Sequence, residues 1–131
     1  MNFRTTTLGL LLALTLMGAG CITFKGSAKA DGGLFASSDR GDTWAQKSAI
    51  PAVGGQRRSL SGTNIRTFTQ DPQDAKAFYA GTDTEGAYYS WDGGEAWWAL
   101  GSPFAQAQVD AIVVHPKEKC SLFVAAGKKV F

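Results

Sequence analysis

The apolar residues of this chain fall into two different patterns. Near the N-terminus, residues 8–17 form one uncharged apolar run, and Arg4 supplies the single positive charge before it. Beyond residue 32, short runs of β-branched and aromatic residues alternate with turns rich in Gly, Asp and Pro. The first pattern is typical of a signal peptide, and the second of an antiparallel meander. We therefore predict an all-β fold after an N-terminal hydrophobic signal helix.

The alternating pattern predicts three groups of strands separated by turns. The first group, at 34–37 and 43–47, is followed by a long polar loop at 50–64. The second group has four strands, at 65–69, 77–81, 87–90 and 97–100. The third group has strands at 109–114, 122–126 and 130–131. The chain is thus predicted to hold a half unit at 33–48, a full unit at 64–100 and an incomplete unit at 109–131.

Two pairs of segments in the chain repeat each other. Residues 33–44 and 86–97, which lie 53 positions apart, share Gly, Ser, Asp, Gly and Trp in register. Asp71-Pro72 and His115-Pro116 lie 44 positions apart, so this part of the unit repeats as well. Repeats with such a period are typical of propellers and solenoids.

The repeated segment resembles the Asp-box, or BNR repeat, with the pattern Ser-x-Asp-x-Gly-x-Thr-Trp. This repeat occurs in sialidases, sortilin-type receptors, xyloglucanases and photosystem II assembly factors. The first copy matches at every defined position, and the second departs from the pattern only at Ala96; the matching residues are Ser37, Asp39, Gly41, Thr43, Trp44, Ser90, Asp92, Gly94 and Trp97. The resemblance implies a partial β-propeller of four-stranded blades, about two of them. It also implies that the boxes lie at the periphery of the propeller, away from any active site.

The residue types of the box favour a structural role. A carboxylate at Asp39 or Asp92 can accept hydrogen bonds from backbone N–H groups two residues further on and so close a tight turn. Gly41 and Gly94 tolerate a positive φ at no steric cost. The tryptophan of each box is expected to begin the outgoing strand and pack against neighbouring strands. We predict that these residues build turns and are neither catalytic nor metal-binding.

Two cleavage sites compete at the N-terminus. The segment 17–21 resembles a bacterial lipobox, with Gly18 in place of the usual branched aliphatic residue, and it makes Cys21 the lipidated mature terminus. In the alternative, cleavage after Ala30 releases a secreted or periplasmic protein. We favour a signal peptide at 1–20, a tether at 21–32 and a membrane anchor through Cys21. Cys120 is then left either buried or paired with a cysteine from elsewhere.

Composition and motifs argue against several functional classes. Lys and Arg number 13 against 11 Asp and Glu, a formal net charge of +2. This balance provides no basic stripe for nucleic acid, and the pair at 57–58 is expected to be solvated. His115 is the only histidine, so a multi-histidine metal site is excluded. No cofactor-binding glycine motif occurs, and we predict no metal and no cofactor.

The carboxylates and arginines do not assemble a glycosidase site. Most acids outside the boxes lie in predicted turns. Resemblance to sialidases implies three arginines gathered from several blades, a tyrosine nucleophile with a glutamate, and an aspartate acid. Four arginines follow the leader and Arg40 lies inside a box turn, so this set is not expected to assemble.

Arg66 and Asp110 begin equivalent strands, which in propellers face the central channel; there they pair across blades, are solvated or contribute to a ligand site. Adjacent Trp97 and Trp98 must point to opposite faces of their strand. Ligand binding is therefore predicted at Arg66, Trp91 and Trp98, unless a neighbouring blade covers Trp98.

These observations lead to one preferred function and two alternatives. We expect an exported, lipid-anchored, non-catalytic module that interacts with a protein or a glycan. The first alternative is a fragment of an exo-sialidase or xyloglucanase-type hydrolase, and the second is a truncated product without independent function. Two blades do not close a propeller, which has four to eight. Self-association that completes the ring is therefore expected as well.

Overall fold

The computed structural model describes residues 32–118 and 121–131. Every regular element in these residues is a β-strand, and the strands form antiparallel sheets of two to four strands. The prediction of an all-β fold is confirmed. The predicted signal helix, Cys21, the tether up to residue 31 and Cys120 lie outside the described residues.

Eleven strands occur in the described part of the chain. The first four are β1 (Phe35–Ala36), β2 (Ala45–Gln46), β3 (Ala49–Val53) and β4 (Gln56–Ser59). The next four are β5 (Ile65–Asp71), β6 (Asp74–Thr82), β7 (Ala87–Ser90) and β8 (Trp98–Ala99). The last three are β9 (Val109–Val114), β10 (Leu122–Ala126) and β11 (Lys129–Val130).

A four-stranded sheet with the order β5-β6-β7-β8 occupies the middle of the chain. Each of its strands pairs with the next one in sequence, as the predicted meander requires. The turn between β5 and β6 is closed by Asp71, whose Oδ1 accepts a hydrogen bond from the backbone N–H of Gln73 at 2.8 Å. Three smaller sheets accompany it, formed by β1-β2, by β3-β4 and by β11-β10-β9. The four strands predicted for residues 65–100 are therefore confirmed.

The prediction of a long polar loop at 50–64 is wrong. Residues 50–59 of this segment belong to a hairpin, in which β3 and β4 pair with Ile50 opposite Arg58. Gly54 and Gly55 form its turn with φ angles of 67° and 82°. Two consecutive residues with positive φ produce the turn that suits the twist of a hairpin. The hairpin was missed because its second strand, β4, consists of polar residues and its first strand contains Pro51, whereas the pairing itself is made by backbone hydrogen bonds.

Both sequence repeats keep the same strand register in the structure. Phe35 pairs with Gln46 in the first copy, and the residues 53 positions later, Tyr88 and Ala99, pair in the second. The β5-β6 pairing recurs in β9-β10 at a shift of 44 residues, and the register shift that follows the first residue of β5 recurs in β9. The similarity between the segments thus extends from residue types to backbone pairing.

Two hydrophobic cores lie on opposite faces of the four-stranded sheet. Neighbouring residues of a strand point to opposite faces, and Tyr88 and Ala87 accordingly belong to different cores. The first core contains Leu60, Ala80, Tyr88 and Trp97. The second contains Ala87, Val109, Ile112, Val124 and Ala126. The sheet is therefore covered on one side by N-terminal residues and on the other by β9 and β10.

The tryptophans of the two repeated segments have opposite environments. Trp97 is 1% exposed; its Nε1–H donates to the backbone oxygen of Lys47 at 2.8 Å, and its backbone N–H donates to that of Ala49 at 2.9 Å. Trp44 is 63% exposed, and its Nε1–H donates within its own turn, to the oxygen of Gly41 at 3.1 Å. The expectation that both indoles pack against neighbouring strands is wrong for Trp44, because the described residues place no strand over it.

This difference predicts unequal effects of truncation. Trp97→Ala should lower the free energy of unfolding by about 3–5 kcal/mol, since it removes a fully buried aromatic side chain and leaves a cavity. The matched control Trp44→Ala should cost less than about 1 kcal/mol, as is usual for exposed positions. Trp98→Ala should fall between them because this side chain is partly buried. Denaturant unfolding of the three variants measures the difference, and equal losses would contradict the face assignment.

Candidate functional site

The first repeated turn, residues 37–44, is held by hydrogen bonds from side chains to the backbone. The Oγ of Ser37 accepts the backbone N–H of Gly41 at 2.7 Å and donates to Asp39 Oδ1 at 2.7 Å. Asp39 in turn accepts the backbone N–H of Thr43 at 2.9 Å and its hydroxyl at 2.5 Å. Gly41 has a φ of 100°, as predicted. The carboxylate bridges the whole turn.

The second repeated turn, residues 90–97, reproduces this network. Ser90 Oγ accepts the N–H of Gly94 at 2.9 Å and donates to Asp92 at 2.7 Å. Asp92 accepts the N–H of Ala96 at 3.1 Å. The prediction that each aspartate accepts backbone N–H groups two residues further on is therefore wrong. The carboxylate accepts the backbone N–H of the residue four positions further on, and the serine hydroxyl accepts the nearer amides.

The carboxylates of both turns are stabilised in their charged form. Hydrogen bonds from the Thr43 hydroxyl, from its backbone N–H and from Ser37 lower the pKa of Asp39 to about 2. For Asp92, partial desolvation opposes the change, but hydrogen bonds from the Ala96 N–H and from Ser90 lower its pKa all the same. A carboxyl group with a lowered pKa is a poor general acid near neutral pH. This chemistry suits a turn-forming role.

Arg66 lies on β5, at the opposite edge of the sheet from Trp98. Its guanidinium donates to Asp83 at 2.9 Å and pairs with Asp110 at 3.1 Å. The hydrogen bond to Asp83 raises the pKa of Arg66, and the same bond lowers the pKa of Asp83. Of the alternatives predicted for Arg66 and Asp110, the structure has the ion pair. Ligand binding by Arg66 stays a prediction, and it requires the displacement of these carboxylates.

Trp91 and Trp98 come together in a cluster of aromatic rings at the β8 edge of the sheet. Their ring centroids are 4.3 Å apart with an interplanar angle of 22°, and Tyr89 stacks on Trp98 at 6.0 Å. Trp91 is 54% exposed. Tyr89 and Trp98 lie side by side because they are register partners in the paired strands β7 and β8. We call Tyr89, Trp91 and Trp98 the ring cluster.

Two cavities adjoin strands β4 and β7. The first, of about 200 Å³, is lined by Ile50, Pro51, Arg58, Tyr88, Trp97, Trp98 and Ala99. The second, of about 350 Å³, has a polar lining of Arg58, Ser59, Glu85, Tyr88 and Gln106. Arg58 and Tyr88 line both cavities, so the two spaces are neighbours. Trp98 links the first cavity to the ring cluster.

Sequence reasoning missed Arg58, Tyr88 and Glu85 as site residues. The Tyr88 hydroxyl donates to Glu85 Oε2 at 3.3 Å. Desolvation and the charge of Glu85 raise the pKa of Tyr88. Its phenol therefore stays protonated at neutral pH, which suits a hydrogen-bond donor better than a nucleophile. The sequence offered one signal, since Tyr88 holds the aromatic position of the repeat, whereas Arg58 lay in a segment predicted to be a solvated loop.

The described residues carry no arrangement for a metal ion or a membrane span. In residues 32–118 and 121–131, no three His, Cys, Asp or Glu side chains lie close enough together to hold a metal. The same residues include no helix that is long and apolar enough to cross a membrane. Comparisons of the chain with known protein families, curated protein sequences and solved structures find no match.

The hydrogen bonds of Thr43 predict a difference between the two turns. Asp39 has a folded-state pKa of about 2 against an ordinary 3.8, so its contribution to stability is present above the ordinary value and is lost as the pH falls through about 2. Thr43→Ala should raise the pKa of Asp39 because it removes the hydroxyl donor. Ala96→Thr is the matched converse and should lower the pKa of Asp92.

Titration of the side-chain carboxyl carbons by NMR measures both changes. Unchanged midpoints in both variants, with the fold retained, would show that the threonine hydroxyl does not control these carboxylates.

Proposed function

We propose that this protein is a non-catalytic binding module of the Asp-box propeller type, exported, anchored through a lipid on Cys21, and able to bind a glycan at the ring cluster. The observation that carries the proposal is the stacked pair of Trp91 and Trp98. About half of the Trp91 side chain is exposed to solvent. Indole rings offer sugars a broad apolar face, and their N–H group serves as a donor.

The repeated strand registers support the propeller part of the proposal. Each of the two sequence repeats keeps its pairing, and the four-stranded sheet is packed on both faces, as a blade between two neighbours is. Propellers are built by radial repetition of four-stranded sheets. On this interpretation, β5–β8 form one blade, β9–β11 begin the next, and β1 and β2 are the outer strands of a preceding one.

The surroundings of Trp98 support a glycan ligand. The apolar cavity beside it leads to the polar cavity, where Arg58, Glu85 and Gln106 offer donors and acceptors. Carbohydrates are bound by such combinations, in which an aromatic platform holds the apolar face of a sugar while convergent polar groups orient its hydroxyls. A protein ligand would need a broader contact surface. If no sugar binds, a protein ligand becomes the favoured interpretation.

The positions of the acids support a role without catalysis. Retaining and inverting glycosidases need two carboxyl groups across the scissile bond. Asp39 and Asp92 close their turns, Asp83 and Asp110 pair with Arg66, and Glu95 pairs with Lys47. Glu85 stands in the polar cavity with the phenol of Tyr88. The alternatives remain a hydrolase fragment and a truncated product without independent function.

Binding of defined oligosaccharides tests the proposal. We expect a xyloglucan oligosaccharide or sialyllactose to quench tryptophan fluorescence, and Trp91→Ala and Trp98→Ala each to weaken binding by at least about tenfold, as loss of an aromatic anchor does. The control Phe123→Leu alters an exposed aromatic residue of β10 that lines neither cavity, and it should leave affinity unchanged.

Two results would count against this function. Turnover of a fluorogenic sialoside or of xyloglucan by the purified protein would favour the hydrolase alternative. Equal affinity in the Trp98→Ala variant, with its fold intact, would remove the ring cluster from the binding site.

The lipid anchor is tested separately at Cys21. Labelled fatty acid should be incorporated into the exported protein. The Cys21→Ala variant should still be exported but should carry no label. The matched control Cys120→Ala should keep the label because the lipid is attached only to the cysteine at the cleavage site. An exported protein that begins at Asp31 would contradict the anchor and favour the secreted alternative.

A further inference from the structure

Two opposite charges line the polar cavity beside the middle sheet. Its wall contains Arg58 from β4 and Glu85 from the loop between β6 and β7, together with Ser59, Tyr88 and Gln106. None of the ion pairs among the described residues joins Arg58 to Glu85. The cavity, of about 350 Å³, therefore presents a cation and an anion to the same space. Its volume falls in the range of small-molecule sites.

The backbone that carries these charges is held in place from behind. Ser59, the neighbour of Arg58, donates its hydroxyl to the backbone oxygen of Ser48 at 3.1 Å. The backbone N–H of Glu85 donates to the hydroxyl of the fully buried Thr82 at 2.9 Å. Both charged residues are thus attached to ordered backbone before a ligand arrives, which reduces the ordering that binding requires.

The loop after β8 brings a third segment to the polar cavity. A Cβ at Gly86 would collide with the backbone oxygen of Phe104, so only glycine lets this loop come so close. The N–H of Gly86 also donates to the backbone oxygen of Ala107 at 3.1 Å. Gln106 lies between these two contacts and lines the cavity. Its side-chain amide can both donate and accept hydrogen bonds.

The neighbouring cavity is apolar and shares two wall residues with the polar one. Arg58 and Tyr88 line both cavities, and the rest of the apolar wall consists of Ile50, Pro51, Trp97, Trp98 and Ala99. The apolar cavity has a volume of about 200 Å³. A molecule with a charged end and an apolar end can therefore occupy both cavities at once.

We propose that the two cavities bind a free apolar α-amino acid, with its carboxylate on Arg58, its ammonium group on Glu85 and its side chain in the apolar cavity. A guanidinium donates paired charge-assisted hydrogen bonds to a carboxylate, and a carboxylate accepts such bonds from an ammonium group. Glu85 retains acceptor capacity for that group beside its hydrogen bond from Tyr88. A ligand with one charge would leave the other protein charge unpaired, which is costly once water is displaced.

This inference goes beyond the proposed glycan function and does not depend on it. The glycan site is carried by the stacked rings of Trp91 and Trp98, and Trp91 lines neither cavity. The two ligands share Trp98 and the groups of the polar cavity, so they would compete there.

A series of leucine derivatives tests the proposal on the unaltered full chain. L-Leucine should bind saturably in an NMR titration and shift the signals of Trp98 and Gln106, which line the two cavities. Leucine methyl ester lacks the carboxylate charge, N-acetylleucine lacks the ammonium charge, and glycine lacks the side chain. Each should bind at least about tenfold more weakly than leucine. No saturable binding up to about 10 millimolar leucine, or equal binding of all four compounds, would overturn the proposal.

Substitution of the two charged residues tests their roles. Arg58→Gln and Glu85→Gln should each weaken leucine binding by at least about tenfold, because each removes a charge and keeps a polar side chain of similar length. The matched control Arg57→Gln alters the adjacent arginine, which lines neither cavity, and should leave the affinity unchanged. Circular dichroism should show the same fold in all three variants because these side chains are exposed. Unchanged affinity in both cavity variants would contradict the assignment.

A combination of variant and ligand identifies the partner of each charge. Arg58→Gln should not weaken the binding of leucine methyl ester any further, because the charge that Arg58 would bind is already absent. Glu85→Gln should likewise leave the binding of N-acetylleucine unchanged. If each variant weakened all the compounds equally, the proposed contacts would be wrong.

Separate titrations with leucine and with a xyloglucan oligosaccharide distinguish this proposal from the proposed function. Leucine binding without sugar binding would support the amino acid site and count against the glycan function. Sugar binding without leucine binding would overturn the amino acid site and leave the glycan function standing.

Discussion

The buried indole of Trp97 is the contact on which the rest of the described structure depends. Its ring fills the space between the four-stranded sheet and the N-terminal strands, and its N–H must find an acceptor because an unpaired donor in a core is costly. The backbone oxygen of Lys47 is that acceptor. The backbone N–H of Trp97 donates to the backbone oxygen of Ala49, two residues after Lys47. Together these bonds determine where the β3-β4 hairpin begins and place Arg58 beside the sheet.

The same strand that builds the core also builds the candidate site. Because neighbouring side chains alternate across a strand, burying Trp97 directs Trp98 to the other face. There it meets Tyr89, its register partner, and Trp91, which the repeated turn presents. A substitution that loosens the turn at 90–97 should therefore disturb the core and the ring cluster together, even though the two lie on opposite faces.

Much of the fold followed from local rules, and the exceptions have a common origin. The four strands of the middle sheet and both repeated turns were predicted because alternation and turn residues act over a few neighbouring positions. The hairpin at 49–59 was missed because its second strand, Gln56–Ser59, is polar and its pairing is made by the backbone. Arg58 and Glu85 escaped notice for a related reason: their segments are far apart in sequence and meet only in the folded chain.

The two repeated turns show which features depend on the local sequence and which depend on the tertiary structure. Their hydrogen bonds are nearly identical, because serine, aspartate and glycine at fixed spacing determine such a turn without help from the rest of the chain. The burial of their tryptophans differs completely, although the residue type is the same. The sequence by itself therefore determined the strands of the middle sheet, the two repeated turns and the opposite directions of Trp97 and Trp98. Only the tertiary structure decided that Trp97 becomes core and Trp44 remains surface, because burial depends on which distant segment packs against the face.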